Sequence, residues 1–173
     1  MKRDLLRVVS MIVMYFNAAM AGVLPSPTCD ISPTMEDIIH IREIFDAMRS
    51  SVQQQDKYIH LQMLKTSSMQ SIPPSERCCF LKHIIHFYVN KVFIHSDKLD
   101  TLHHITASKI TNLFCALRNP KPCQFNIDCS CGDITMHELK STKDIFEKLA
   151  LKKAIIKAFG ELDILIDWMK MLF

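Results

Sequence analysis

Apolar side chains recur every three or four residues through most of this 173-residue chain, which is the spacing of one helix face. The first stripe consists of Ile38, Ile41, Phe45, Met48 and Val52. Ser32 and Pro33 precede it as a candidate N-cap and first helical residue, because a proline there loses no hydrogen bond. The pattern predicts a helix over residues 32–53.

Three further segments show the same period. The predicted helices run over residues 74–94, from a cap at Asp97 or Asp100 to about Leu117, and from a cap at Asp133 or Thr135 to about Glu147. The stripe of the first consists of Leu81, Ile84, Ile85, Tyr88, Val92 and Phe93, and that of the second of Leu99, Leu102, Thr106, Ile110, Leu113 and Leu117. Residues 53–72 form a connection, within which 58–64 is either a short helix or an irregular docked loop.

The last segment, 149–172, has the strongest helical pattern in the chain. Its apolar positions are Leu151, Ala154, Ile155, Ala158, Phe159, Leu162, Leu165, Ile166 and Met169. They cover more than one stripe, which is typical of a central helix with several neighbours. Its polar side is formed by Lys153, Lys157, Asp163, Asp167 and Lys170. Gly160 within this helix indicates a close helix crossing or a kink. Because no segment alternates between apolar and polar residues, we expect an all-α bundle of six or seven helices.

Residues 1–21 differ from the rest of the chain. A basic start with Lys2, Arg3 and Arg7 leads into an apolar run over 8–16, and small residues follow at 19–21. This order is that of a secretory signal peptide, and the apolar run is too short to span a bilayer. We therefore expect a secreted, extracellular protein whose single helical domain occupies residues 22–173.

Seven cysteines then become candidates for disulfides, because secretion places them in an oxidising compartment. They are Cys29, Cys78, Cys79, Cys115, Cys123, Cys129 and Cys131. The simplest pairing joins the cluster over 123–131 to Cys29 and to the Cys78-Cys79 pair by three bonds, but spacing alone does not fix the connectivity. The alternative is a zinc site with help from His83 and His86 or from His103-His104, although the CC and CxC spacings are not those of zinc ligands.

Cys115 is the odd cysteine in this pairing. It lies about 160° from the centre of its helix's apolar stripe. Two interpretations stay open: an exposed free thiol able to join two chains, or a small apolar side chain packed under a neighbour.

The composition favours neither catalysis nor nucleic-acid binding. The net charge is +3, too small for an electrostatic partner such as nucleic acid or an anionic membrane, and no later segment is apolar enough for membrane insertion. The sequence contains no Gly-rich phosphate loop, HExxH or GxSxG element, so we expect no enzyme, no metal and no cofactor. The 49% hydrophobic content and eleven methionines leave one alternative function, a secreted helical carrier of an apolar ligand.

Several sequence elements together resemble the interleukin-10 family of helical cytokines, and within it the interleukin-19/20/24 subgroup. The elements are Cys29 with Ile31 and Ser32, Cys78-Cys79, the run FYVNKVF over 87–93, the cluster Cys123, Cys129 and Cys131, the run AIIKAFGELD over 154–163, and Trp168. They extend across essentially the whole chain after residue 21.

This resemblance implies a connectivity, a fold and a function. The implied disulfides are Cys29–Cys123, Cys78–Cys129 and Cys79–Cys131. The implied protein is a monomeric bundle, with a covalent dimer through Cys115 as the alternative. It is a cytokine that bridges two class II cytokine receptor chains of the interleukin-20 receptor type and signals through JAK kinases and STAT factors in epithelial and immune responses. The resemblance favours the first connection and the last helix as one receptor surface. Our receptor-binding candidates there are Lys57, Tyr58, His60, Asp163, Asp167 and Lys170.

Overall fold

A computed structural model describes residues 33–116 and 129–172 of this chain. Within these ranges the chain forms seven α-helices and no strand, so the predicted all-α bundle is confirmed. The helices are α1 (Met35–Gln55), α2 (Ser68–Ser71), α3 (Arg77–Phe87), α4 (Thr101–Ala116), α5 (Asp133–Lys148), α6 (Leu151–Gly160) and α7 (Leu162–Leu172). The predicted signal peptide over 1–21, Cys29 and Cys123 lie outside the described residues. None of the described helices combines the length and apolar character needed to cross a bilayer.

Helix α1 begins two residues later than the sequence suggested. Its N-cap is Thr34, whose side-chain oxygen accepts the N–H of Asp37 at 3.1 Å, while the Asp37 carboxylate accepts the N–H of Thr34 at 2.8 Å. The Thr34 hydroxyl also donates to the Asp37 carboxylate at 2.7 Å, and this bond, together with that from the Thr34 N–H, lowers the pKa of Asp37. The prediction of Ser32 as the cap and Pro33 as the first helical residue was therefore wrong, because the backbone N–H groups of Thr34 and Asp37 find side-chain acceptors two residues further along the chain.

The five predicted apolar residues of α1 are all buried, which confirms its stripe. This face packs against α4, α6 and α7, so α1 is a central element of the bundle. Three arginine and glutamine side chains on the adjacent polar side reach α6 and α7 rather than water. The apolar and polar sides of α1 thus both contact α6 and α7, the first through burial and the second through hydrogen bonds.

The predicted helix over 74–94 changes its winding three times. A short 3₁₀ turn, Pro74–Glu76, leads into α3, and a π-helical segment, Tyr88–Val92, and a 3₁₀ segment, Phe93–Lys98, follow it. The wider π turn directs the fully buried Tyr88 toward α6, where its hydroxyl donates to the Ala158 carbonyl at 2.9 Å. Burial raises the pKa of Tyr88 well above 10.

Phe93 lies at the centre of an aromatic cluster that joins four elements. Its ring centroid is 5.7 Å from that of Tyr88, 5.4 Å from that of Phe114 and 5.5 Å from that of Phe159. Aromatic pairs at such distances add to the free energy gained from burying their area. The cluster fixes the end of the α3 segment against α4 and α6.

The last predicted helix is two helices. Glu161 separates α6 from α7, and its φ of −104° and ψ of 9° interrupt the regular winding. The preceding Gly160 is buried beside Asp56 and Gln53, and its carbonyl accepts a hydrogen bond from the Gln53 side chain at 3.0 Å. The kink interpretation of Gly160 is therefore confirmed, whereas no close crossing requires the glycine, since a Cβ there would lie 3.8 Å from its nearest neighbour, Asp56.

The N-terminus of α5 is capped from another segment. Gly132 is its N-cap residue, and the Glu76 carboxylate accepts the N–H of Gly132 at 3.0 Å and the hydroxyl proton of Thr135. A Cβ at Gly132 would stand 2.6 Å from a Glu76 oxygen, so only glycine leaves room for this carboxylate. The prediction that Asp133 or Thr135 caps α5 was wrong, because the acceptor comes from 56 residues earlier in the chain.

Replacing Glu76 with glutamine is expected to destabilise the protein by about 1 kcal/mol, since it removes a negative charge at a helix N-terminus and weakens two hydrogen bonds. Urea unfolding of the variant measures this loss. Glu147→Gln makes the same chemical change at the other end of α5, where the residue is exposed, and should leave the midpoint unchanged. Equal midpoints for both variants would contradict this role of Glu76.

Candidate functional site

The first connection, residues 56–67, is an irregular segment docked on α5 and α6. This is one of the two structures that the sequence predicted for residues 58–64. Met63 and Leu64 are its buried anchors. The hydroxyl of Thr142 on α5 donates to the Met63 carbonyl at 3.1 Å. The connection is thus held by both side-chain burial and backbone hydrogen bonds.

A buried charged cluster, formed by Lys157, Asp56 and Glu161, fixes this connection to α6; we name it the clamp. The Lys157 ammonium is 2.9 Å from an Asp56 oxygen and 3.0 Å from a Glu161 oxygen, and it donates to the Tyr58 carbonyl at 3.0 Å. The side chains are 4%, 10% and 9% exposed, respectively. The Lys157 ammonium thus donates to three acceptors, two on the first connection and one at the end of α6, and so holds the connection against α6.

Glu161 joins the clamp to the backbone of the first connection. Its two oxygens accept the backbone N–H groups of Met63 at 3.2 Å and Leu64 at 2.7 Å. Burial raises the pKa of Glu161, although the Leu64 N–H and Lys157 oppose this shift. Burial also disfavours the charge of Lys157, yet its bonds to Asp56 and Glu161 outweigh this effect and raise the pKa of the lysine.

Helix α7 is connected to α1 by a second set of polar contacts. Arg49 forms an ion pair with Asp163 at 2.9 Å, and Arg42 forms one with Asp167. Gln53, one turn beyond Arg49, bonds to Asp163 at 3.4 Å. Two of the six receptor-binding candidates are therefore engaged within the chain and act first as supports of the helix pair.

The structure brings the candidate residues of the first connection together. Lys57 and Tyr58 line one pocket, and the ring of His60 lies 6.1 Å from that of Tyr58. Asp56, which follows α1, accepts the N–H of Tyr58 and a hydrogen bond from Lys157 of α6, while Gln53 bonds to Gly160 and Asp163. Lys170 is exposed near the end of α7. The structure thus brings Lys57, Tyr58 and His60 together and joins Asp163 and Asp167 to α1, whereas among the described residues no contact links Lys170 to either group.

The cysteines link α3 to the start of α5. Cys79 and Cys131 form a disulfide with a Cα–Cα distance of 5.9 Å, which is one of the pairs that the resemblance implies. Cys78 and Cys115 are each disulfide-bonded as well. Cys115 is half-buried and packs against the core.

The interpretation of Cys115 as a free thiol is therefore corrected, because its sulfur is disulfide-bonded. The implied pair Cys29–Cys123 lies outside the described residues, and the implied pair Cys78–Cys129 stays a prediction.

The zinc alternative conflicts with the same disulfide. The side chains of Cys79, His83 and Cys131 place three ligand atoms within 4.8 Å of one another. Zinc binds thiolates, however, and the two sulfurs here are joined to each other. In this oxidised form His83 instead pairs with the backbone of Cys129.

Stability is expected to fall as the pH drops below about 6.5, because burial lowers the pKa of both His83 and His86, with Lys143 adding to the effect. A lowered folded-state pKa means that the unfolded chain takes up the protons first, so the contribution is complete above the unfolded value and is lost in acid. Thermal unfolding at pH 7.5 and pH 5.5 measures the drop. His83→Gln/His86→Gln should reduce it, and an equal drop in this variant would contradict the assignment.

A helical bundle stabilised by disulfides, with a rigid connection and a terminal helix forming one polar surface, is typical of a helical signalling ligand. No protein-family model matches the chain. It is 35% identical to mouse interleukin-20 over 135 residues, which are 75% of each chain. It is 28% identical to rat interleukin-24, over 74% of this chain and 72% of that one. The crystal structure of human interleukin-19 superimposes with a TM-score of 0.68 at 26% identity, over 85% of this chain and 94% of that one.

The chain belongs to the interleukin-10 family of helical cytokines, in the interleukin-19/20/24 subgroup. It is a signalling ligand and not an enzyme.

Proposed function

We propose that this chain is a secreted cytokine, released after cleavage of residues 1–21, that bridges two class II receptor chains of the interleukin-20 receptor type. Receptor-associated JAK kinases then phosphorylate STAT factors in epithelial and immune cells. The observation that carries the proposal is the clamp, which holds the first connection rigid beside α7. A rigid binding surface loses less conformational freedom when a partner docks, and this favours affinity.

The first receptor surface comprises Lys57, Tyr58 and His60 on the connection, with Lys170 on α7. Lys57 and His60 are exposed, and Tyr58 is half-buried with its ring in the pocket wall. Tyrosine and charged residues of this kind often dominate the binding energy of an interface. Asp163 and Asp167 contribute by orienting the arginines of α1 through their ion pairs.

To bridge two receptor chains, the protein needs a second binding surface that does not overlap the first. A groove of about 600 Å³ runs between α1 and α4. Its wall includes His40, Ile44, Ala47, Thr106, Lys109 and Leu113. Its mixed apolar and polar lining resembles the composition of a non-obligate protein interface. We assign the second receptor chain to this groove.

The test adds purified protein to cells that carry defined pairs of class II receptor chains or each chain alone. STAT phosphorylation should require both chains of one pair. Lys57→Ala/His60→Ala should shift the dose response to higher concentration, whereas Lys91→Ala/His95→Ala, a matched change elsewhere, should not. Silence from every pair with folded protein would contradict the proposal.

The carrier alternative depended on the methionine content, and several of those methionines are part of the packed core. Met48, Met63, Met69 and Met169 are at most 2% exposed. Their thioethers fill the space between helices, as methionine commonly does. Detection of a bound lipid by native mass spectrometry of the purified protein would favour the carrier instead.

A further inference from the structure

A pocket of about 660 Å³ opens between the first connection and the first turn of α6. Its wall includes Asp56, Lys57, Tyr58, Lys152, Lys153 and Ile156; we name it the lysine pocket. The three lysines are exposed, whereas the Asp56 side chain is only 10% exposed and is already bound by Lys157 at 2.9 Å. The acidic group in the wall is thus neutralised, and the pocket has a net positive charge.

The lysines of the pocket take no part in the ion pairs found within residues 33–116 and 129–172. Lys153 is held by Tyr58, since its ammonium is 2.6 Å from the phenol oxygen and 5.1 Å from the ring centroid. The first turn of α6 contains no acidic residue, and its N-cap Ala150 provides no side-chain acceptor. The partial positive charge of the helix N-terminus therefore adds to that of the lysines.

We propose that the lysine pocket binds an acidic segment of the receptor chain that contacts the first connection, an inference that rests on the proposed function. Clustered cations without carboxylate partners are complementary to Asp or Glu side chains of a docking protein. The Tyr58 ring and Ile156 give the same pocket an apolar wall, which suits the aliphatic part of an acidic peptide side chain. A sulfated polysaccharide offers no comparable apolar group.

The test compares Lys152→Glu/Lys153→Glu with Lys91→Glu/Lys140→Glu, which makes the same charge change at exposed lysines elsewhere. Binding of the full secreted protein to each isolated receptor ectodomain is measured by surface plasmon resonance at low and high salt. The pocket variant should lose at least about tenfold in affinity for one receptor chain, lose most of the salt dependence, and keep its affinity for the other. The control pair should match the wild type.

Lys57→Glu alone should weaken binding to the same receptor chain, and circular dichroism confirms that each variant is folded. Affinities and salt dependences equal to those of the control pair would overturn the inference. A pocket variant that loses retention on heparin but keeps receptor affinity would assign the pocket to a sulfated glycan and overturn it as well. Wild-type protein that binds no receptor chain would refute the proposed function, a result seen before any variant is compared.

Discussion

Replacing Lys157 with methionine is expected to destabilise the fold by about 3–5 kcal/mol, because it leaves two buried carboxylates without their cation. Methionine fills a similar volume, so the loss reports on charge rather than on a cavity. Asp56 and Glu161 are 10% and 9% exposed and would face each other across the vacated site. Urea unfolding followed by circular dichroism measures the change, and hydrogen exchange should show faster exchange at the Met63 and Leu64 amides.

Two further variants test whether the loss of stability in Lys157→Met comes from the clamp rather than from any lysine-to-methionine change. Lys152→Met changes an exposed lysine on the same helix and should shift stability by less than about 0.5 kcal/mol. Lys157→Met combined with Asp56→Asn and Glu161→Gln removes the unpaired charges and should recover part of the loss. If Lys157→Met unfolds at the wild-type urea concentration, or the triple variant is less stable than the single one, the clamp does not have this role.

The apolar stripes could be predicted because they depend on local period alone. The residues of α1 and of the α3 segment that recur at helical spacing are all buried. In α4 the same reasoning is less accurate, because the buried face of this regular helix includes His103 and Ala107 and is rotated from the predicted stripe. Phe114 is fully buried in the aromatic cluster yet was missing from the predicted stripe of its helix. The 3₁₀ segment over 93–98 was not predicted, because a helical wheel of 100° per residue assumes regular α-helical winding.

The clamp could not be predicted, because its partners are far apart in sequence. Lys157 was placed on the polar side of its helix, yet it is 3% exposed and binds Asp56, 101 residues earlier. Periodicity describes which face a residue occupies but not what covers that face. One local signal was available: Lys157 and Glu161 are spaced i, i+4 beside the kink at Gly160, and such a pair stabilises the end of a helix.

Removing the Cys79–Cys131 disulfide by a double change to alanine is expected to destabilise the protein by about 4 kcal/mol. The bond closes a loop of 52 residues, and the chain-entropy model assigns a loss of that size to its opening. Cys79 is 7% exposed and small, so alanine leaves little empty volume and the change reports mainly on the cross-link. Non-reducing urea unfolding gives the measurement.

Ser75→Ala/Ser130→Ala places two neutral changes near the same two segments and should unfold with the wild type, since both serines are exposed. A non-reducing peptide map of the wild type should contain one peptide joined through Cys79 and Cys131, and it also identifies the partner of Cys115. If the alanine double variant is as stable as the wild type, packing of α3 against α5 fixes the two segments without the bond.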